Sequence, residues 1–87
     1  MPEVIAVAYE LWYSDEFKRD AKRLDQSMQA RLKKVISKIW ENPERFKHLE
    51  QGVPRFSVRF GVYRVLYKIV NNRIELMRVG KRDEIYR

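Results

Sequence analysis

The sequence predicts an α+β domain: one strand, two helices, then three hairpin-linked strands, with both helices on one face of a four-stranded sheet. Three observations carry that expectation. Apolar residues alternate with period two at the start of the chain and again after Pro54. Between those stretches they recur at helical spacing. Two short turn signals, Gly61-Val62 and Asn71-Asn72, divide the second alternating stretch into three. Strands that follow one another through tight turns pair antiparallel, and a helical pair must bury its apolar stripe against such a sheet.

Val4–Tyr13 alternates, with Ile5, Val7, Tyr9, Leu11 and Tyr13 on one face, and reads as the first strand. Ser14 is placed as an N-cap, and Asp15 and Glu16 suit the positive end of the helix it opens. Phe17, Ala21 and Leu24 follow at helical spacing. Asp25-Gln26-Ser27 reads as a break. A second helix then shows Met28, Leu32, Val35, Ile36 and Ile39 as one stripe. Asn42-Pro43 ends it, because the residue before proline is driven out of the helical region. Pro43–Pro54 reads as a connection. Phe56–Phe60, Tyr63–Ile69 and Arg73–Val79 are the expected meander.

The 87 residues make one domain, 1–87, and a chain of this size buries roughly 60–65% of its unfolded surface. There is no cysteine, so neither a disulfide nor a thiolate metal site supplements the core. No signal-peptide pattern or membrane-length apolar run is evident, and a soluble cytoplasmic protein is the expectation. The net charge of +7 is uneven. Residues 1–43 hold eight Lys/Arg against seven Asp/Glu, and residues 44–87 hold eleven against five. A basic excess confined to one half points to a polyanion or an acidic protein partner.

A two-residue turn at Gly61-Val62 fixes the register of the strands it joins. Phe60 then faces Tyr63, Val58 faces Val65 and Phe56 faces Tyr67, a hydrophobic face for the helices. The opposite face pairs Arg59 with Arg64, Ser57 with Leu66 and Arg55 with Lys68. Two of those pairs set like charge against like charge, which weakens a sheet and suits a site that holds an anion. Continuing through Asn71-Asn72 places Lys68 opposite Glu75 and Arg64 opposite Val79, bringing Arg82 and Tyr86 near Arg59 and Arg64. Leu66, Met77 and Val79 then form an apolar patch within the basic face, suited to base stacking or to an amphipathic partner. Arg78 fits badly, since this register turns it toward the core.

The runs Arg59-Phe60-Gly61-Val62-Tyr63-Arg64-Val65-Leu66-Tyr67 and Val79-Gly80-Lys81-Arg82-Asp83-Glu84-Ile85-Tyr86 resemble the RelE toxins of prokaryotic toxin–antitoxin systems, within the wider RelE/ParE superfamily. Tyr13–Phe17, Leu24-Asp25 and Ile39–Pro43 extend the likeness over nearly the whole chain. The resemblance implies a ribosome-dependent endoribonuclease that cuts mRNA in the A site and halts translation. It also implies a partner antitoxin of the RelB kind in a hetero-oligomer. By position, Arg64 and Arg82 match catalytic arginines, Tyr86 the catalytic tyrosine, and Arg59 one of two lysines. Ser57 stands where the other lysine is found. Arg55, Ser57 and Lys81 are candidate RNA- or phosphate-binding residues, and Arg59, Arg64, Leu66 and Met77 candidate antitoxin contacts. The chain ends one residue after Tyr86, so a further C-terminal helix known in some relatives is not expected.

Cleavage without metal or cofactor uses the neighbouring 2′-OH as nucleophile and leaves a 2′,3′-cyclic phosphate. It needs a base, cations for the phosphorane and a proton for the leaving oxygen. His48, the one histidine, lies in the connection, so the usual imidazole is not at hand. Tyr86 is a candidate base if cations favour its phenolate, since one Arg at ~4 Å contributes up to roughly 4 kcal/mol at an effective dielectric near 20. Asp83 and Glu84 would point apart on a strand and do not read as a metal pair. Three other readings stand beside the nuclease: a ParE-like toxin that inhibits DNA gyrase, a basic RNA-binding module without catalysis, and, for each cation singly, an ordinary solvated side chain.

Overall fold

A computed structural model describes residues 9–50 and 53–85. The elements run β1 (Glu10–Tyr13), α1 (Asp15–Lys22), α2 (Gln26–Glu41), β2 (Lys47–Glu50), β3 (Val53–Phe60), β4 (Tyr63–Val70), β5 (Arg73–Lys81) and α3 (Arg82–Ile85). The sheet order is β1-β5-β4-β3-β2. The meander β3–β4–β5 is antiparallel, and β1 pairs parallel with β5. The α+β class and element order are those expected. The sheet also takes a short strand, β2, from the segment read as a connection. That segment lacks clear alternation between its two prolines, and its pairing depends on the neighbouring β3 edge rather than on its own pattern. The expected start of β1, Val4–Ala8, lies outside the described residues.

Both helix starts are capped by side chains. The Ser14 hydroxyl accepts from the Phe17 N–H at 3.0 Å and donates to the Met77 carbonyl at 2.7 Å, tying α1 to β5. The Asp25 carboxylate accepts from the Met28 N–H at 2.8 Å and opens α2. That bond and the Ser27 hydroxyl hold the Asp25 carboxyl below its ordinary pKa. At the far end of α2, the Trp40 indole N–H donates to the Tyr9 carbonyl at 2.7 Å.

The helices cover the sheet face predicted for them. Phe17, Leu24, Leu32 and Ile39 pack on Phe56, Val58, Phe60, Val65, Tyr67, Ile74, Leu76 and Val79. The expected cross-strand aromatic pairs form, Phe56 on Tyr67 at 5.1 Å and Phe60 on Tyr63 at 5.6 Å between ring centroids. Tyr67 is fully buried, and its hydroxyl donates to the Pro43 carbonyl at 2.5 Å, so the α2 exit is fixed to the centre of the sheet. Burial raises the Tyr67 phenol above its ordinary pKa.

Gly61 carries φ 60°, as the first turn position requires, and the β3–β4 register is the expected one at every pair from Arg55–Lys68 to Phe60–Tyr63. Asn71 takes the left-handed conformation in the second turn, and Lys68 faces Glu75. The register then shifts. Tyr67 pairs with Leu76, but Leu66 pairs with Arg78, leaving Met77 as the extra residue of a β-bulge. This corrects the placement of Arg64 opposite Val79. Arg64 faces Gly80, while Val79 turns into the core against Val65.

Candidate functional site

The sheet face away from the helices carries the cations. Arg59 and Arg64 are direct cross-strand partners, and one register step on, Ser57 faces Leu66. Ser57 is buried, and an Arg64 guanidinium nitrogen lies 3.5 Å from its hydroxyl oxygen. The Arg59 Nε donates to the Gly61 carbonyl at 3.1 Å, which holds that side chain back along the turn. Arg64 is half-buried, whereas Arg55 and Arg59 are exposed. Two residues of like charge are thus direct cross-strand neighbours, with the Arg59 side chain drawn toward the turn and that of Arg64 toward Ser57. Such a pair is stabilised by an anion and is otherwise mutually repulsive.

Further along the face the charges are matched. Lys68 lies 3.5 Å from Glu75, and Arg73 lies 3.4 Å from the same carboxylate. Arg73 also stacks over the Trp12 ring at 4.6 Å. Lys68 is therefore paired, as expected. A groove of about 800 Å³ runs between these residues and α1, lined by Trp12, Tyr13, Glu16, Arg55, Leu66, Lys68, Met77, Arg78 and Ile85 among others. Of the apolar patch expected from Leu66, Met77 and Val79, Leu66 and Met77 lie half-buried along this groove, which the buried Ile85 also lines, while Val79 belongs to the core.

The bulge decides what meets Arg64 from β5. Gly80 stands opposite it, and Ile85 of α3 packs directly over that glycine. A Cβ built on Gly80 would come within 2.9 Å of Ile85 Cγ2, so the close approach depends on glycine. Arg82 opens α3, one helical turn before Ile85. The residues after Gly80 thus turn back as a short helix, and Asp83 and Glu84 lie on that helix rather than on a strand. Lys81 is the cross-strand partner of Tyr63, which belongs to the helix side of the sheet. It is exposed and is not gathered with Arg59 and Arg64. Tyr86 lies outside the described residues. His48 stands opposite Phe56 in the β2–β3 register, not in the Arg59–Arg64 row.

One group escaped the sequence reading. Asp20 of α1 is buried, and its carboxylate accepts from Arg78 Nε at 2.7 Å, from Arg78 Nη2 at 3.2 Å and from the Val79 N–H at 3.1 Å. Glu16 adds a second carboxylate 3.6 Å from Arg78. Hydrogen bonding to Asp20 keeps the Arg78 guanidinium even more firmly charged than usual. The signal was present in the sequence: Asp20 is an acid on the apolar stripe of Phe17, Ala21 and Leu24, and Arg78 is a cation where the core was expected. Among the described residues, no group of three or more His, Cys, Asp or Glu side chains is gathered as a metal site, and no helix is long and apolar enough to cross a membrane.

This architecture is shared with known toxins. The intact E. coli RelBE toxin–antitoxin complex contains a chain that superposes with a TM-score of 0.76 at 21% identity, covering 85% of this chain and 96% of that one. A chain of the Mycobacterium tuberculosis RelBE2 complex gives 0.75 at 26% identity, covering 86% and 99%. One from the E. coli DinJ–YafQ complex gives 0.73 at 16% identity, covering 92% and 99%. No curated protein matches the chain. The sequence family described as the ParE toxin of the type II toxin–antitoxin system parDE matches over residues 11–86. Fold and family match agree, and the chain belongs to the ParE toxin family of type II toxin–antitoxin systems, within the RelE/ParE superfamily.

Proposed function

We propose that this toxin is a ribosome-dependent mRNA endoribonuclease that cuts in the A site by 2′-OH attack, without a metal. The observation that carries the reading is the Arg59–Arg64 pair on the open face, with Gly80 opposite Arg64 and the Arg82 turn following at once. In this reading Arg64 grips the scissile phosphate. Arg82 and Arg59 stabilise the charge that builds on the phosphorane, where losing one such contact typically lowers the rate ~10²–10³-fold. Tyr86, which follows Ile85 directly, is the proposed base. Arg55 extends the phosphate-binding surface along β3, whereas Ser57, expected there, is buried and serves instead as a hydrogen-bond acceptor for Arg64. Weak intrinsic acids and bases suit an enzyme whose substrate is oriented by the ribosome. Cytoplasmic action follows from that substrate.

A RelB-like antitoxin is the proposed partner, forming a hetero-oligomer. The M. tuberculosis relative was solved as a toxin–antitoxin complex. An acidic, amphipathic segment laid across Arg59, Arg64, Leu66 and Met77 would satisfy both the cations and the apolar strip. Replacing Arg59 and Arg64 together with alanine is expected to weaken antitoxin binding and flatten its salt dependence in a titration. Unchanged affinity would remove these residues from the interface.

The test of the chemistry is cleavage of a defined mRNA on ribosomes, mapped by primer extension, with wild type, Arg64→Ala and Tyr86→Phe. A-site cuts that fall ~10²-fold or more in both variants are expected. The family match names ParE, which favours inhibition of DNA gyrase as the second reading. A folded wild type that leaves mRNA intact but poisons gyrase supercoiling would establish that reading instead.

A further inference from the structure

The β5 bulge leaves Val79 with its N–H on the strand edge just beyond the end of β1, whose last register pair is Tyr13–Leu76. A buried carboxylate fills that gap. Carboxylates taken out of water are costly unless paired, and the best-attested use of such a pair is to specify one register over another. Here the alternative register is well defined. Without an extra residue at Met77, the Lys68–Glu75 pairing would continue to Arg64–Val79, exposing Val79 and moving Gly80 to the helix side. Every residue after Met77 would advance by about 3.3 Å along the strand and change face. Gly80 and the Ile85 packed on it would be carried away from Arg64 together, and Arg82 would start its turn from the wrong place.

We infer that Asp20 is a positioning residue: by holding the Val79 N–H and the Arg78 fork together, it selects the bulged register that sets Gly80 against Arg64 and starts α3, with Arg82, beside it. Asp20 touches no reacting group in this scheme and acts through Arg82. Glu16 supports Arg78 from the same helix, and Glu84 is the other carboxylate near Gly80. The activity consequence rests on the nuclease reading; the register consequence does not.

The test uses Asp20→Ala with Arg78→Ala, a double change that leaves no buried charge unpaired and releases only the exposed Glu16, and Asp20→Asn as a milder variant should the double one fail to fold. Backbone NOEs that pair Val58 with Val65 report that the sheet is intact. Those that pair Arg64 with Gly80 report the register. Loss of the Arg64–Gly80 contacts, or their replacement by Arg64–Val79 contacts, in a variant with an intact β3–β4 pair is expected. Retention of Arg64–Gly80 contacts overturns the proposal. In the cleavage assay kcat is expected to fall ~10²-fold with KM little changed, as for a catalytic group displaced by an ångström or more. In an Arg82→Ala background the same change should add almost nothing, because both act through one group. Full additivity of the two losses overturns the route through Arg82. A wild type that cuts no mRNA removes the nuclease reading, and the register comparison alone then decides the role of Asp20.

Discussion

Gly80 shows how much can hang on one hydrogen in place of a methyl. Its Cβ position is occupied by Ile85, so Gly80→Ala must displace α3 or strain β5. Overpacking of this kind costs about 1–3 kcal/mol. Chemical denaturation should register that loss, and pairing Gly80→Ala with Ile85→Ala should restore part of it. Equal stability of Gly80→Ala and wild type would mean that Ile85 does not need its seat. Tyr67 gives a second residue-scale expectation. Tyr67→Phe removes a buried donor and orphans the Pro43 carbonyl, a change on the order of 1–3 kcal/mol. Conservative as they look, both substitutions sit where the side chain has one job and no space to move. The sequence made the Tyr67 position legible, since its register against Phe56 followed from a turn. It could not show that the hydroxyl reaches Pro43, which is a fact about where α2 ends in space.

At the scale of elements, Ser14 is the joint between β1, α1 and β5. It caps the helix and bonds the Met77 carbonyl at the bulge, so Ser14→Ala loses two hydrogen bonds. A loss of about 1–2 kcal/mol is expected, at the upper end of N-cap values, measured by urea unfolding. Local rules made this joint visible, because capping chemistry is written in adjacent residues. The same holds for the β3–β4 hairpin, where Gly61 alone fixed six pairs. The bulge at Met77 was not legible, because a period-two pattern has no mark for an extra residue. Arg78 gave the only warning, as a cation assigned to the core. Resolving it required Asp20, fifty-eight residues away in the chain and on another element. Ile85 was missed for a related reason: a four-residue helix has too little periodicity to announce itself.

For the whole molecule, titration and charge supply the expectations. The Asp25 carboxyl is held below its unfolded pKa, so its contribution is present above that value, near 3.9, and is lost as pH falls through the folded one. Asp25→Asn should remove this part of the acid limb of a stability profile while keeping the cap. Tyr67 acts at the other end. Its phenol is raised, so the contribution is complete below about pH 10 and fades as the unfolded state begins to ionise. Tyr67→Phe should flatten that alkaline limb. Charge asymmetry gives a further measurement. If single-stranded RNA engages Arg55, Arg59, Arg64 and Arg82, the logarithm of its affinity should fall with the logarithm of salt at a slope near −3, at about −0.7 per phosphate contact. Arg64→Ala should reduce that slope by about 0.7. A slope indifferent to Arg64 would separate the basic face from nucleic-acid binding.

The parallel pairing of β1 with β5 also sets an order of events during synthesis. A nascent chain delivers β1, α1 and α2 first, yet β1 has no neighbour until Arg73–Leu76 have emerged. Until then its backbone groups remain in water, the core lacks Ile74, Leu76 and Val79, and Arg64 has nothing opposite it but Arg59. A toxin closed by a late strand stays incomplete until that strand has left the ribosome that makes it. The cell is given that interval, and an antitoxin already present can meet the chain as it leaves.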